Sequence, residues 1–273
     1  MNSRFLPVIL ILLLISIMAL AGCAAMTKAS PGTVSTAQET AVAEKTRTVV
    51  METTVHTTTA GQKESIAEQL ASVQSTNPVF LEASRMFRNI KSTEYVHPPY
   101  TDDDAAGIYK FDCLGFVDHV LMNASPDSYK EIGKGANPSI ESYSAYFSKL
   151  DAATPNGLGW TKVARPIDLK PGDVCLWLKP STLDTGHMWI IAGTPAVNPK
   201  RSDEVLVRIF DSTGTVHGDD SRTGATDKTG LGSGILGFMV DTEGNPTGLY
   251  WEGAASTGAG EKDTTIVCGR LNK

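Results

Sequence analysis

Cys113 lies where an extended run, residues 108–111, gives way to a helical one. Four apolar residues follow at the three- and four-residue spacing of one helix face: Phe116, Val117, Val120 and Leu121. Asp112 is a good N-cap residue, so the pattern predicts a helix that begins at Cys113. The first turn of a helix favours an anion, and a thiol placed there forms the nucleophilic thiolate more readily. The alternative is that Cys113 is a small buried apolar residue, as most free cysteines are.

A thiolate nucleophile needs a general base, normally a histidine, and a third polar group that holds the imidazole. Five histidines compete for this role: His56, His97, His119, His187 and His217. His187 is the best candidate, because it follows a glycine at the very start of a predicted strand, residues 188–192. His119 lies six residues past Cys113 on the same predicted helix, so it is turned away from the thiol and is expected to be a packing or surface residue.

A segment rich in Gly, Thr, Asp and Ser, residues 212–233, is predicted to be a long loop. A loop of this length in a compact domain is usually functional or disordered. It contains His217-Gly218-Asp219-Asp220, which we interpret as a solvated run. A metal site is not expected, because the sequence has no close pairs of Cys and His.

The N-terminus has the pattern of an export signal. Arg4 precedes an apolar run, residues 5–20, that ends in Leu-Ala-Gly-Cys. A short apolar core that ends in small residues is typical of a signal peptide, with a simple membrane anchor as the alternative. The ending resembles the lipobox of bacterial lipoproteins, which implies cleavage after residue 22 and lipidation of Cys23. Because several acyl chains anchor a protein stably, we expect a lipid-anchored protein of the bacterial cell envelope. Ala24 favours the periplasmic face of the outer membrane if the cell is Gram-negative.

Composition and charge indicate how the rest of the chain is divided into segments. The chain has 273 residues, a net charge of −6 and no basic cluster, so nothing points to nucleic acid. Residues 24–59 are rich in Thr, Ala, Ser and Glu and cannot bury enough apolar surface to fold. We therefore expect a signal peptide over 1–22, the lipidated cysteine and a flexible tether over 23–76, and one domain over 77–273. No cofactor is expected, and the oligomeric state stays open.

Two further cysteines lie in predicted strands. If Cys23 is lipidated, three of the four cysteines remain, so at least one is unpaired in an oxidising compartment. Cys175 and Cys268 alternate with apolar neighbours and are expected to be buried thiols or a disulfide.

Within the domain, helical patterns come first and strand patterns second. Helices are predicted to begin at Asn77 and at Ser139, both of which are cap residues. Short β-rich runs between turn residues follow: 160–163, 173–178, 188–192, 205–211, 235–240, 248–251 and 264–268. This order predicts an α+β fold with an antiparallel sheet packed on the cysteine helix.

Three ordered blocks of the chain resemble those of the NlpC-type cell-wall peptidases, a papain-like superfamily of cysteine peptidases. They are Asp-Cys-Leu-Gly-Phe-Val at 112–117, Leu-Lys-Pro-Gly-Asp-Val at 169–174 and Gly-His-Met-Trp-Ile at 186–190. The resemblance covers residues 95–211 and implies a papain-like fold. It makes Cys113 the nucleophile and His187 the base.

The resemblance also implies a third polar group on the strand after the histidine. Asp211 is the best match, and the alternative is a turn residue at the end of that strand. A tyrosine upstream of the cysteine often completes the site of the family, and Tyr95 fits best, with Tyr100 and Tyr109 as rivals. Asp112 is implied to bind the free amine of the substrate.

One position departs from the pattern of the family. Leu114 stands where the family has a serine that helps to bind the substrate, so the preferred substrate is expected to differ from that of the family, or activity to be lost.

The expected function is hydrolysis of amide bonds in peptidoglycan stem peptides by a cysteine peptidase at a membrane surface. The alternatives are a catalytically silent lipoprotein of the same fold that binds cell-wall peptides or a partner enzyme, and a thiol acyltransferase or amidase for another small substrate.

Overall fold

The computed structural model describes residues 65–179, 186–223, 228–262 and 264–273. The predicted signal peptide, the lipidated Cys23 and most of the predicted tether lie outside these residues. Of the helices in the described part of the chain, none combines the length and apolar character that crossing a bilayer requires.

The described residues form five α-helices and twelve β-strands. The helices are α1 (Ile66–Ser72), α2 (Pro78–Asn89), α3 (Cys113–Ala124), α4 (Pro126–Gly133) and α5 (Ile140–Ser148). The strands before residue 180 are β1 (Ser92–Tyr95), β2 (Thr101–Asp103), β3 (Ile108–Phe111), β4 (Trp160–Val163) and β5 (Val174–Leu178). Those after it are β6 (Gly186–Ile191), β7 (Ala196–Asn198), β8 (Arg201–Thr213), β9 (Gly230–Val240), β10 (Pro246–Tyr250), β11 (Glu261–Lys262) and β12 (Thr265–Leu271).

The strands form two sheets. The larger has nine strands in the order β11-β10-β9-β8-β6-β5-β12-β4, with β7 paired to β8, and its neighbouring strands are antiparallel. The smaller has the order β1-β3-β2, and β1 runs parallel to β3. Helices that precede a mostly antiparallel sheet make this an α+β fold, as the order of sequence patterns predicted.

The large sheet separates two apolar cores. Side chains of a strand alternate between faces, and on β6 Met188 and Ile190 pack with the helices while Trp189 and Ile191 pack in the second core. His187 has the same parity as Trp189, and the two rings stack on one another.

The cysteine helix begins where the sequence predicted. The carboxylate of Asp112 accepts a hydrogen bond from the Gly115 N–H at 2.8 Å, which caps α3 and leaves Cys113 as its first residue. The apolar residues of α3 then face the first core. The caps predicted at Asn77 and Ser139 are also present, since each side chain accepts backbone N–H groups of the helix that follows it.

Two predictions were wrong in part. The segment 65–76 was assigned to the tether, but Leu70 of α1 is buried in the first core, so the domain begins earlier. The loop expected over 212–233 is shorter, because β8 continues to residue 213 and β9 starts at residue 230.

Strands β6 and β8 are paired over a short length only. Their register covers Ile190 with Phe210 and Ile191 with Ile209. Beyond these pairs, toward His187 and the end of β8, the backbones no longer pair. The Ser212 hydroxyl instead donates to the carbonyl of Phe111 at 2.7 Å, which ties the end of β8 to the residues just before α3.

Cys175 and Cys268 form a disulfide between directly paired residues of β5 and β12, with a sequence separation of 93. The predicted choice between buried thiols and a disulfide is thereby settled. A crosslink across a loop of this length removes much of the conformational freedom of the unfolded chain.

The double substitution Cys175→Ala with Cys268→Ala is therefore expected to lower the free energy of unfolding by about 2–4 kcal/mol. Urea titration of the full chain measures this. The wild-type protein titrated in excess reducing agent is the matched control and should lose a similar amount. Unchanged stability in both samples would contradict a structural crosslink.

Asp118 joins three helices through hydrogen bonds to two tyrosine hydroxyls. Its carboxylate on α3 accepts the Tyr143 hydroxyl of α5 at 2.6 Å and the Tyr129 hydroxyl of α4 at 3.3 Å. Burial raises the pKa of Asp118 to about 7, since it disfavours the charged form more than the two hydroxyls stabilise it. The native state therefore holds this proton more tightly than the unfolded chain does.

Stability contributed by neutral Asp118 is present below the unfolded pKa and is lost as pH rises through about 7. Asp118→Asn, which stays neutral, is expected to raise the free energy of unfolding by about 1–2 kcal/mol at pH 8. At pH 4 the substitution should change little. Urea titrations at both pH values test this, with the exposed Asp127→Asn as control. An equal effect of Asp118→Asn at both pH values would contradict a raised pKa of Asp118 in the folded protein.

Candidate active site

Cys113 is the free cysteine of the described residues, and it is 7 % exposed at the first position of α3. Its backbone N–H has no acceptor within the helix, because the first N–H groups of a helix point outward from its end. A thiolate, or an oxyanion formed next to it, would therefore face the positive end of the helix dipole.

His187 reaches the thiol from the start of β6. Burial by itself would lower the pKa of His187, but the charge and hydrogen bond of Cys113 and the carboxylate of Asp211 more than offset burial and raise it to about 10. Nε2 of the ring lies 2.8 Å from Oδ2 of Asp211, so Nδ1 is the nitrogen that remains for the thiol. The ring is held between Trp189, which stacks on it, and Trp251, whose ring centroid lies 5.0 Å away.

Asp211 is a fully buried carboxylate, and its two oxygens together make three hydrogen bonds to side chains. Oδ2 lies 2.8 Å from Nε2 of His187 and 2.8 Å from Nε2 of His217. Oδ1 accepts Nη2 of Arg222 at 2.9 Å. Burial would raise the pKa of Asp211, but the Arg222 and His217 charges and the histidine hydrogen bonds hold it well below its usual range. Asp211 is therefore an ionised group at neutral pH.

Two of the three partners of Asp211, His217 and Arg222, come from the loop between β8 and β9. His217 and Arg222 are 4 % and 2 % exposed. Asp220 binds both of them: its Oδ2 accepts the His217 N–H at 2.8 Å and its Oδ1 accepts Nε of Arg222 at 2.8 Å. The interpretation of this run as solvated was wrong, because its polar groups are satisfied by one another and by Asp211 rather than by water.

Two glycines of β9 make room for this loop. A Cβ at Gly232 would lie 2.6 Å from Nε of Arg222, and one at Gly234 would lie 2.6 Å from Cβ of His217. Glycine inside a strand marks a site of close approach. Gly232 and Gly234 alternate along β9 and leave room for side chains of the loop that precedes it. These alternating glycines were the signal in the sequence that His217 and Arg222 are buried.

A cavity of about 500 Å³ opens beside His187. Its aromatic lining comes from Tyr95, Trp177 and Trp251, and its polar lining includes Thr213 and Thr215. The ion pair of Lys179 with Glu261, at 2.6 Å, also borders the cavity. The cavity offers apolar surface together with both signs of charge, next to the imidazole that binds the thiol.

Asp112, which was suggested for substrate binding, forms a cluster with Tyr100 and His97 at the start of α3. Oδ1 of Asp112 accepts the Tyr100 hydroxyl at 2.8 Å, and Oδ2 lies 3.1 Å from Nδ1 of His97. Tyr95 lines the cavity instead, and its ring centroid lies 5.5 Å from that of His97. Tyr109 points away and donates to Asp104 at 2.6 Å. Tyr100 is thus the tyrosine bound to the N-cap, and Tyr95 is the one that borders the cavity.

His119 also lies where the sequence analysis expected it. It packs against the ring of Phe111 and pairs with Asp102 at 3.1 Å, so it takes no part in the cluster around the thiol.

His187, Asp211 and His217 bring three potential ligand atoms within 4.8 Å of one another. A divalent cation there would have to coexist with the Arg222 guanidinium, which already binds Asp211 at 2.9 Å. The ligand atoms are also already paired with one another, since Oδ2 of Asp211 lies 2.8 Å from Nε2 of each histidine. The donor set therefore fits a hydrogen-bonded network of histidines better than it fits a metal.

The described site contains the parts that thiol chemistry requires. Cys113 lies at a helix start, His187 contacts it, and Asp211 holds the second nitrogen of that imidazole. A nucleophile, a base and a group that orients the base make up the general arrangement of covalent catalysis. Comparisons of the chain with protein-family models, with curated proteins and with solved structures give no match.

Proposed function

We propose that the protein is a cysteine hydrolase that cleaves amide bonds in the peptide stems of peptidoglycan. The observation that carries the proposal is the contact of the Cys113 thiol with a buried imidazole whose Nε2 lies 2.8 Å from the Asp211 carboxylate. An imidazole fixed in this way favours its charged form and can take the proton of the thiol, which is how a thiol nucleophile is activated.

In the first half of the reaction, the Cys113 sulfur attacks the amide carbonyl and forms a C–S bond. The oxyanion that develops lies near the backbone N–H of Cys113, at the positive end of α3. The C–N bond then breaks, and the departing nitrogen takes the proton from Nδ1 of His187. The products are a thioester on Cys113 and a free amine.

In the second half, neutral His187 takes a proton from water, and the oxygen of that water attacks the thioester. The C–S bond breaks, the carboxylic acid leaves, and the thiolate and the imidazolium are regenerated. Asp211 keeps its hydrogen bond to Nε2 throughout, so the ring presents Nδ1 in both halves.

Three observations support stem peptides as the substrate class. The order of the three sequence blocks resembles that of the NlpC-type peptidases, which favours a papain-like arrangement of the α+β fold. The lipobox resemblance implies a lipid anchor at the cell envelope, where peptidoglycan lies, and so supports a cell-wall substrate. The cavity beside His187 also combines aromatic walls with an ion pair, which suits a peptide that carries both charged and apolar groups.

Incubation of the full chain with purified peptidoglycan and with free stem peptides tests this proposal. Mass spectrometry should find new amines and new carboxylic acids at one type of amide bond. Cys113→Ala and His187→Ala should each abolish these products. His119→Gln is the matched control, because it removes an imidazole outside the site, and it should keep the activity.

Other results of this experiment would indicate a different function. Products in which the acyl group is joined to a second amine would show an acyltransferase. If no substrate is cut, and if Cys113 is alkylated no faster than an ordinary thiol at mildly acidic pH, the hydrolase proposal fails. Retention of stem peptides by such an inactive protein would instead identify a binding module, in line with the replacement at Leu114.

Asp211→Asn is expected to lower activity at pH 7 by about 100-fold or more, because an amide binds the imidazolium more weakly than a carboxylate does. The substitution removes a negative charge that raises the pKa of His187 to about 10. The alkaline limb of the activity profile, where the imidazolium is lost, should therefore move to lower pH. The exposed Asp203→Asn on the same strand is the control. An alkaline limb that stays in place would contradict the assigned role of Asp211.

A further inference from the structure

We propose that His217 is a positioning residue of this site, which shares the Asp211 carboxylate with His187 and limits how strongly that carboxylate holds the His187 imidazolium. The inference deepens the proposed function and rests on it for its catalytic meaning. The arrangement of charges that it describes can be measured without any substrate.

The contacts of His217 require a proton on each ring nitrogen. Nε2 lies 2.8 Å from Oδ2 of Asp211, and Nδ1 lies 2.9 Å from the backbone carbonyl of Trp251. An ionised carboxylate and a carbonyl only accept hydrogen bonds. Both short contacts are therefore hydrogen bonds only if His217 is an imidazolium, because a neutral ring would turn one lone pair toward another.

His217 is also fixed in place. Its side chain is 0 % exposed, its N–H donates to Asp220 at 2.8 Å, and its ring centroid lies 4.2 Å from that of Trp251. Gly234 leaves the space that its Cβ fills. The charge of this imidazolium therefore stays next to the oxygen that also binds His187, with no water to screen it.

Charged groups of both signs surround His187, and His217 is one of the cations. The carboxylates are Asp211 of β8 and Asp220 of the loop after β8, and α3 contributes the Cys113 thiol. The cations from that loop are His217 and Arg222. The ion pair of Lys179 and Glu261, which borders the cavity, adds one charge of each sign. Compared with the wild-type protein, a neutral residue at position 217 would leave an excess of one negative charge around the His187 ring.

That excess would matter for catalysis. A general acid works best when its pKa lies near the working pH, and the partners of His187 already raise its pKa to about 10. A second cation on Oδ2 of Asp211 opposes this increase, since like charges disfavour each other. His217 thus lets Asp211 orient the ring without making its proton too difficult to transfer to the leaving amine.

Nuclear magnetic resonance of the full chain with ring-¹⁵N-labelled histidine tests the proposal. In the wild-type protein the ¹⁵N signals of His217 should be those of a ring with a proton on each nitrogen, as its two contacts with acceptors require. In His217→Gln, which can still donate to Asp211 but carries no charge, the titration of His187 should move up by about one pH unit. The kcat of stem-peptide cleavage should fall more than KM changes, and the optimum should shift toward higher pH.

His119→Gln is again the matched control and should leave the titration of His187 in place. A neutral His217 in the wild-type protein overturns the proposal, as does a His187 titration that stays in place or moves down in His217→Gln. A purely structural role would lower activity without moving the titration. If His217→Gln fails to fold, the protonation of His217 in the wild-type protein decides.

The two proposals fail in different ways. A wild-type protein that cuts no stem peptide removes the hydrolase function, while the titration of His187 still reports whether His217 opposes Asp211. Cleavage that requires Cys113 and His187, together with an unshifted His187 in His217→Gln, removes the positioning role alone.

Discussion

The buried carboxylate of Asp211 is the group on which the rest of the site depends. Its three short contacts join it to His187, His217 and Arg222. An isolated buried charge costs more free energy than any single one of these contacts offsets. The carboxylate is tolerated because three cationic or proton-donating groups converge on it.

This constraint explains several features of the backbone. Strand β8 must run on to residue 213, past its last pair with β6, to carry Asp211 into the space beside His187. The gap between the two strands allows the start of α3 to approach from the helical face, and the bond of Ser212 to the Phe111 carbonyl holds it there. Strand β9 uses glycine at position 232, where any side chain would displace Arg222. Packing, strand pairing and chemistry are therefore linked where β8 ends and β6 begins, at the centre of the strand order.

The charged groups around Asp211 have two separate roles, which fall to different residues. Asp211 orients the imidazole and stabilises its charge, whereas Asp220 and Arg222 hold the loop that neutralises Asp211. Removing one member leaves an unpaired buried charge, so such networks are sensitive to substitution. The carboxylate of Asp118 differs from that of Asp211, because its hydrogen-bond partners are tyrosine hydroxyls rather than cations. It therefore keeps its proton up to about pH 7.

Local sequence patterns determined the elements that carry the reacting groups. A cap residue before an apolar face predicts α3 with Cys113 at its start, and a short apolar run after a glycine predicts the strand of His187, because caps and periodicity act within a few residues. Only the tertiary structure decided the environment of His217 and Arg222. The loop that carries them is polar and has no periodicity, and its burial comes from contacts with Asp211 and β9. Long-range pairing of charges leaves little local trace in a sequence, so the fold alone brings these groups together.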